Sequence, residues 1–114
     1  MAVDGIWTGE VYGPFGWENR GVFIMENGRI LGGDNRQYTA GRYTLSGSDF
    51  VAELSIHYYG PPRAVFGESL EQFDSRIVGT LKDGVIEGTV GRPDRPQFDL
   101  QIRLSKRMEL PHQS

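Results

Sequence analysis

The chain has 114 residues, a net charge of -3, 16 glycines and no cysteine. This length suits one domain with its own hydrophobic core, and the missing cysteines exclude disulfides and thiolate-bound metals. No basic cluster indicates a nucleic-acid surface, and no apolar run approaches the roughly 20 residues of a membrane-spanning helix. The opening letters MAVDGIW do not read as a signal peptide, so we expect a cytoplasmic protein.

Short strands dominate the pattern along the chain. Six of the predicted strands are, in chain order, GIWTGEVY, GVFIME, RILGG, QYTAGRYTL, EQFDSRIVGTL and VIEGTV. Two further strands, FVAELSIHYY and QFDLQIRLS, have a clearer pattern. Alternation of apolar and polar residues is clearest in FVAELSIHYY, where Phe50 and Leu54 share one face, and in QFDLQIRLS, where Phe98 and Leu100 do. The pattern predicts about eight strands in up-and-down order.

Turn signals separate these strands. Asn27-Gly28 and Asp83-Gly84 suit type I′ hairpin turns, because Asn, Asp and Gly tolerate the positive φ that both central positions need. The letters SGSD at 46–49 and GRPDRP at 91–96 predict two further connections. One short helical turn is expected at 63–72, after two prolines end the preceding strand.

A chain made only of antiparallel strands must hide the edges of its sheet. Closing about eight up-and-down strands into one barrel leaves no edge. Glycines inside the strands, such as Gly41 and Gly79, let strongly coiled strands bend. A two-sheet sandwich is the alternative. We predict an all-β antiparallel barrel over residues 1–108, followed by a flexible tail at 109–114.

The first strand opens with Gly5-Ile6-Trp7, which resembles the Gly-x-Trp signature of the lipocalin and calycin barrels. The resemblance implies that Trp7 closes one end of the barrel, with an arginine of the last strand lying across it. Arg103 is the candidate, held by attraction between its guanidinium and the indole face. The alternative is a Trp7 that only packs in the core and an Arg103 that is solvated.

A longer pattern over residues 4–104 resembles the GrlR-type negative regulators of type III secretion. It consists of the DGIW opener, the Asn27-Gly28 hairpin, a Gly-Gly-Asp before a tyrosine-rich strand, and RIVGTLKDG. The resemblance implies a small lipocalin-like barrel that forms homodimers and holds a transcriptional activator inactive by binding it. The acidic loop of that family corresponds here to Ser46, Gly47, Ser48 and Asp49, where only Asp49 is charged.

Catalytic patterns are missing from the sequence. His57 lies on a strand and His112 in the tail, which makes a poor metal site. No serine has the strand–turn–helix context of a nucleophile elbow, and the glycines at 32–33 lack the Gly-Lys-Ser/Thr ending of a phosphate loop. We expect a non-enzymatic protein without metal or cofactor and without direct contact to nucleic acid or membrane.

Aromatic residues cluster in the segment YGPFGWEN, which the prolines and glycines predict to be a loop. Exposed Phe15 and Trp17 there would anchor a protein partner or cover the barrel mouth, and the alternative is that they cover the core from outside. Together with the turn at 46–49, they form the predicted partner-binding site. Its residues are Phe15, Trp17, Ser46, Gly47, Ser48 and Asp49.

The alternative function is a carrier or sensor of a small apolar ligand or lipid inside the barrel. A barrel of about eight strands has an interior that side chains fill or that holds one small ligand. The large inward residues would line such a cavity, and small residues such as Ala52 would leave room. The predicted lining residues are Trp7, Tyr43, Phe50, Leu54, Phe98 and Leu100.

Overall fold

The computed structural model describes residues 3–65 and 68–111. The strands are β1 (Gly5–Gly13), β2 (Gly16–Glu26), β3 (Arg29–Gly33), β4 (Gln37–Ser46), β5 (Asp49–Tyr58), β6 (Ala64–Val65), β7 (Glu68–Ser69), β8 (Gln72–Lys82), β9 (Val85–Gly91) and β10 (Leu100–Met108). Eight of them form one closed antiparallel barrel in the order β1-β10-β9-β8-β5-β4-β3-β2, and β6 and β7 pair separately. This confirms the predicted all-β up-and-down barrel and excludes the sandwich.

Side-chain alternation sends one face of each barrel strand into a single core. In β5, Phe50, Ala52, Leu54 and Ile56 are buried, which confirms the predicted inner face of that strand. Apart from Val3, which precedes β1, the largest fully buried side chains come from strands all around the barrel, so the core belongs to the whole sheet. They are Trp7, Phe50, Met25, Ile30, Ile86, Leu104, Val3 and Ser75.

The two ends of the barrel are built differently. At one end, which we call the closed end, three hairpins turn within two residues each, at 27–28, 47–48 and 83–84. The indole Nε1 of Trp7 donates a hydrogen bond to the carbonyl of Val3 there, at 2.8 Å. At the other end, the open end, the connections include the longer segments 59–71 and 92–99.

Two of the closed-end turns have the predicted chemistry. Asn27 and Gly28 have φ of 50° and 81°, and Asp83 and Gly84 have φ of 52° and 76°. Positive φ at both central positions is the type I′ pattern, whose twist matches that of the flanking strands. The prediction of these two hairpins from Asn-Gly and Asp-Gly is confirmed.

The last barrel strand begins later than predicted. Pro96–Phe98 forms a 3₁₀ turn, so β10 starts only at Leu100 and Phe98 is 39% exposed instead of facing the core. The prediction of a helical turn at 63–72 is also wrong, because strands β6 and β7 lie within this range. Residues 66–67, including the aromatic Phe66, lie outside the described residues.

The connection between β1 and β2 is shorter than predicted. Only residues 14–15 lie between the two strands, and Trp17 belongs to β2, where it pairs with Tyr12 of β1. The two rings meet edge to face with centroids 5.4 Å apart. Strand pairing wins here because Gly13 and Gly16 allow the chain to reverse within two residues.

A β-bulge interrupts the pairing of β1 with β2. Gly9 pairs with Gly21, but the next residue, Glu10, pairs with Asn19, so Arg20 is an extra residue in β2. Gly21 has φ of 112°, and a Cβ atom there would lie 1.9 Å from the carbonyl oxygen of Gly33. Both the backbone conformation and the close approach therefore require glycine at this position.

We predict that Gly21→Ala lowers the free energy of unfolding more than Gly16→Ala does. Gly16 also has positive φ, at 100°, but nothing lies within 4 Å of a Cβ built on it. Gly16→Ala should therefore cost about 1–3 kcal/mol from backbone strain alone. Gly21→Ala should cost at least about 1–3 kcal/mol more, because the steric conflict adds to the strain. Urea unfolding followed by tryptophan fluorescence gives both values, and equal losses would contradict the steric argument.

Candidate functional site

A small cavity lies in the open half of the barrel interior. Its volume is about 60 Å³, and Phe23, Leu54, Ile56 and Phe73 are among the residues that line it. An apolar cavity that holds benzene measures about 150 Å³. The space inside this barrel is therefore too small for a lipid chain without rearrangement of the core.

Most of the predicted ligand-lining residues lie away from this cavity. Leu54 lines it. Trp7 and Phe50 are fully buried in the core, and the rings of Tyr43 and Phe50 stack with centroids 5.5 Å apart. Leu100 is half-buried and packs against the core, and Phe98 is outside it, as described above.

The outer surface carries an apolar row that runs across five neighbouring strands. Met108 of β10 pairs with Ile6 of β1, and Ile6 pairs with Ile24 of β2. Ile24 pairs with Leu31 of β3, which pairs with Ala40 of β4. Met108 is 54% exposed, Ile24 42% and Leu31 40%. These side chains face solvent although nothing in their chemistry favours water.

A second row beside the first widens this surface. Val22 lies next to Ile24 on β2 and is 51% exposed, and Tyr38 of β4 is 53% exposed. The ring of Tyr38 stacks on that of His57, with centroids 5.0 Å apart. We call this surface the outer apolar face. A contiguous exposed apolar surface is typical of an interaction site, and this one consists of Ile6, Val22, Ile24, Leu31, Ala40, Tyr38 and Met108.

Closure of the barrel determines how a partner can bind to this face. Each of the eight barrel strands has a hydrogen-bonded neighbour on both sides. A partner therefore cannot add a strand to the barrel sheet, which is the usual way to capture an extended peptide. It has to dock on side chains of the outer surface or of the two ends.

The predicted partner-binding residues fall into two groups at opposite ends of the barrel. Phe15 lies at the tip of the β1–β2 hairpin at the open end and is 94% exposed, and Trp17 behind it is 37% exposed. Ser46 and Asp49 flank the turn Gly47-Ser48 at the closed end. One compact partner contact cannot include both groups, because the full length of the strands separates them.

Arg103 contacts a tryptophan, but a different one from that predicted. Its guanidinium carbon lies 4.2 Å from the ring centroid of Trp17, and its Nη2 donates to Oε1 of Glu10 at 3.2 Å. Trp7 points into the core while Arg103 lies on the outside, so the two cannot meet. The predicted pairing of Arg103 with Trp7 is wrong. Trp7 is instead packed among the core residues at the closed end of the barrel.

The histidines form no metal centre in the described part of the chain. His57 lies on β5, and its Nε2 is 2.8 Å from the hydroxyl of Ser55. Among residues 3–65 and 68–111, no three His, Cys, Asp or Glu side chains group closely enough to hold a metal ion. His112 lies outside the described residues.

The outer apolar face is the main feature that sequence reasoning missed. Its residues come from five separate strands, which only the pairing register brings together. A signal was present in GVFIME, where Val22 and Ile24 alternate with the buried Phe23 and Met25. Such a run is apolar on both faces, and it predicts that the solvent face is also covered or contacted.

The pKa values of Tyr43 and Asp94 are shifted for clear physical reasons. Burial raises the pKa of the Tyr43 phenol, and the Asp4 carboxylate, whose Oδ1 accepts its hydrogen bond at 3.1 Å, acts in the same direction. The hydrogen bond from Arg92 lowers the pKa of the exposed Asp94 carboxyl. Neither group lies on the outer apolar face.

Comparisons with known proteins do not assign a family to this chain. A scan against protein-family models and a search of curated proteins find nothing that matches this chain. Within the described residues, no helix has both the length and the apolar character needed to cross a membrane.

We predict that stability falls at alkaline pH partly through Tyr43. Because folding raises its pKa, the neutral phenol stabilises the fold below the ordinary tyrosine pKa of about 10, and this stabilisation is lost as pH rises through the folded value. Urea unfolding across that range should show a smaller loss in Tyr43→Phe than in the wild type. Tyr12→Phe, whose ring is 49% exposed, is the control and should lose as much stability as the wild type. Identical pH dependence in Tyr43→Phe and wild type would contradict the argument.

Proposed function

We propose that this protein is a non-enzymatic regulator that acts by binding other protein chains. The observation that carries the proposal is the outer apolar face, where Ile24 and Leu31 are 42% and 40% exposed in the middle of a continuous apolar row. An unpaired apolar surface of this kind gains free energy when a partner covers it. Apart from the phenol of Tyr38, its side chains are aliphatic or carry a thioether, so binding is the activity that this face supports.

The occupant we propose for this face is a second copy of the chain. A two-fold interface needs a surface that is complementary to itself, and an apolar row without charges along Met108, Ile6, Ile24, Leu31 and Ala40 meets that condition. Two such rows can pack against each other in register without placing like charges together. The resemblance to GrlR-type regulators, which form homodimers, agrees with this choice.

The partner we propose for the dimer is a transcriptional activator of type III secretion genes, held inactive by direct binding. This part rests on the GrlR resemblance of residues 4–104. Of the two ends, the open end fits an aromatic anchor better, because Phe15 is 94% exposed and the nearby Trp17 is 37% exposed. The predicted binding residues at the closed end, at 46–49, offer only small side chains and the single charge of Asp49.

The dimer is tested by sedimentation velocity on two glutamate variants. Ile24→Glu places a charge at the centre of the outer apolar face, so it should convert a wild-type dimer to monomer. Val78→Glu is the matched control, because Val78 is another β-branched residue on the outer surface and is 49% exposed. This variant should stay dimeric. A monomeric wild type, or a dimer that persists in Ile24→Glu, would overturn the proposed interface.

The activator is tested by co-expression, in a reporter strain, with candidate transcriptional activators of type III secretion genes from the same source. The wild-type chain should repress the activator-dependent promoter and co-purify with the activator. Phe15→Ala should weaken binding of the activator by about thirtyfold or more and lower repression accordingly, because a buried aromatic anchor contributes at least about 2 kcal/mol. Ser48→Ala at the closed end is the control and should repress fully. Full repression by Phe15→Ala would move the contact elsewhere, and no repression by the wild type would remove the proposed function.

A further inference from the structure

The bulge in β2 turns a charged residue toward the interior at the open end. Arg20 is the extra residue of the bulge, and only 16% of its side chain is exposed. It lines the inner cavity together with apolar residues such as Phe23 and Ile56. It also lines a surface groove outside, so it connects the two spaces. The groove is formed by Gly13, Pro14, Phe15, Glu18, Asn19, Arg20, Arg36 and Arg63.

A second arginine in this groove has an unused donor. Arg63 is 16% exposed at its side chain, and its Nη2 donates to Oδ2 of Asp34 at 2.7 Å. The other carboxylate oxygen of Asp34 already accepts the backbone N–H groups of Arg36 and Gln37, at 2.8 and 3.1 Å. Asp34 therefore cannot pair with both ends of the guanidinium. The Nη1 atom of Arg63 is buried and has no hydrogen-bond partner, which is costly for a charged group.

Among the side chains that the structure describes, positive charge is in excess around this donor. The groove holds three guanidiniums, of Arg20, Arg36 and Arg63, against the two carboxylates that pair with them, Glu18 and Asp34. The chain as a whole has a net charge of -3, so this local excess runs against the overall balance. Burial lowers the pKa of Arg20, and the charge of Arg63 lowers it further. A bound anion would compensate both effects.

We propose that the open end of the barrel is a binding site for a small carboxylate anion with a short aliphatic tail. The carboxylate would accept hydrogen bonds from the free Nη1 of Arg63 and from Arg20, since planar guanidiniums and carboxylates match in geometry. The tail would enter the apolar cavity of about 60 Å³ that Arg20 borders. A small volume of this kind selects a few carbons and excludes a long chain. The site is independent of the outer apolar face.

The class of ligand is tested by calorimetric titration of the wild-type protein with sodium butyrate, acetate and phosphate at constant ionic strength. Butyrate should bind saturably and about tenfold more tightly than acetate, because its two extra methylenes leave water. Phosphate has the charge but no tail, and it should bind more weakly than butyrate. Equal affinities for butyrate and acetate, tighter binding of phosphate, or no saturable binding of butyrate would each overturn the assignment.

The residues are tested with Arg63→Gln, which should weaken butyrate binding at least about tenfold, because a hydrogen bond to a charged group is lost. Arg29→Gln removes an arginine at the closed end, whose side chain is 59% exposed, and should bind butyrate like the wild type. If Arg63→Gln does not fold, Arg20→Gln is read in the same way. Wild-type affinity in a folded Arg63→Gln or Arg20→Gln variant would overturn the site. Chemical shifts of amide groups at 18–20 and 34–37 should change on binding, and shifts confined to the closed end would likewise overturn it.

Discussion

The hydrogen bonding between β1 and β10 is the constraint on which the rest of the structure depends. It joins residues about a whole chain length apart, such as Val11 and Ile102, and it turns a meander into a barrel. Once the sheet is closed, each barrel strand has one inner and one outer face, and the inner faces share a single core. The same closure removes the sheet edges, so binding has to use the outer side chains or the two ends.

The inside and the outside of this barrel differ in how completely their apolar side chains are buried. Inside, large side chains such as Trp7 and Phe50 fill the closed end, and the remaining cavity of about 60 Å³ lies toward the open end. Outside, apolar residues of five strands remain in contact with water. The core thus explains the stability of the protein, and what needs explanation in terms of function is the surface and the charged opening of the barrel.

The sequence predicted those features that depend on near neighbours. Asn27-Gly28 determines its own turn, and the alternation around Phe50 determines its own face, because both effects act within a few residues. The prediction that Phe98 faces the core was wrong, because Pro96–Phe98 forms a 3₁₀ turn where the alternation suggested a strand. The predicted partner of Arg103 was wrong, because the true contact with Trp17 depends on a bulge and on pairing between distant strands. The outer apolar face and the cluster of Arg20 with Arg63 depend on the same kind of distant pairing, so a one-dimensional pattern does not reveal them.

The difference between the two barrel ends has a consequence for how such a protein can change over evolutionary time. The closed-end turns have two residues each, with backbone angles that fix the register of the strands on either side. A one-residue insertion there that shifts the register of the next strand would turn the side chains of that strand from one face of the sheet to the other. The segments 59–71 and 92–99 lie outside the barrel ladder, so they can lengthen or vary without such a shift. New binding specificity can therefore arise at the open end while the scaffold stays the same.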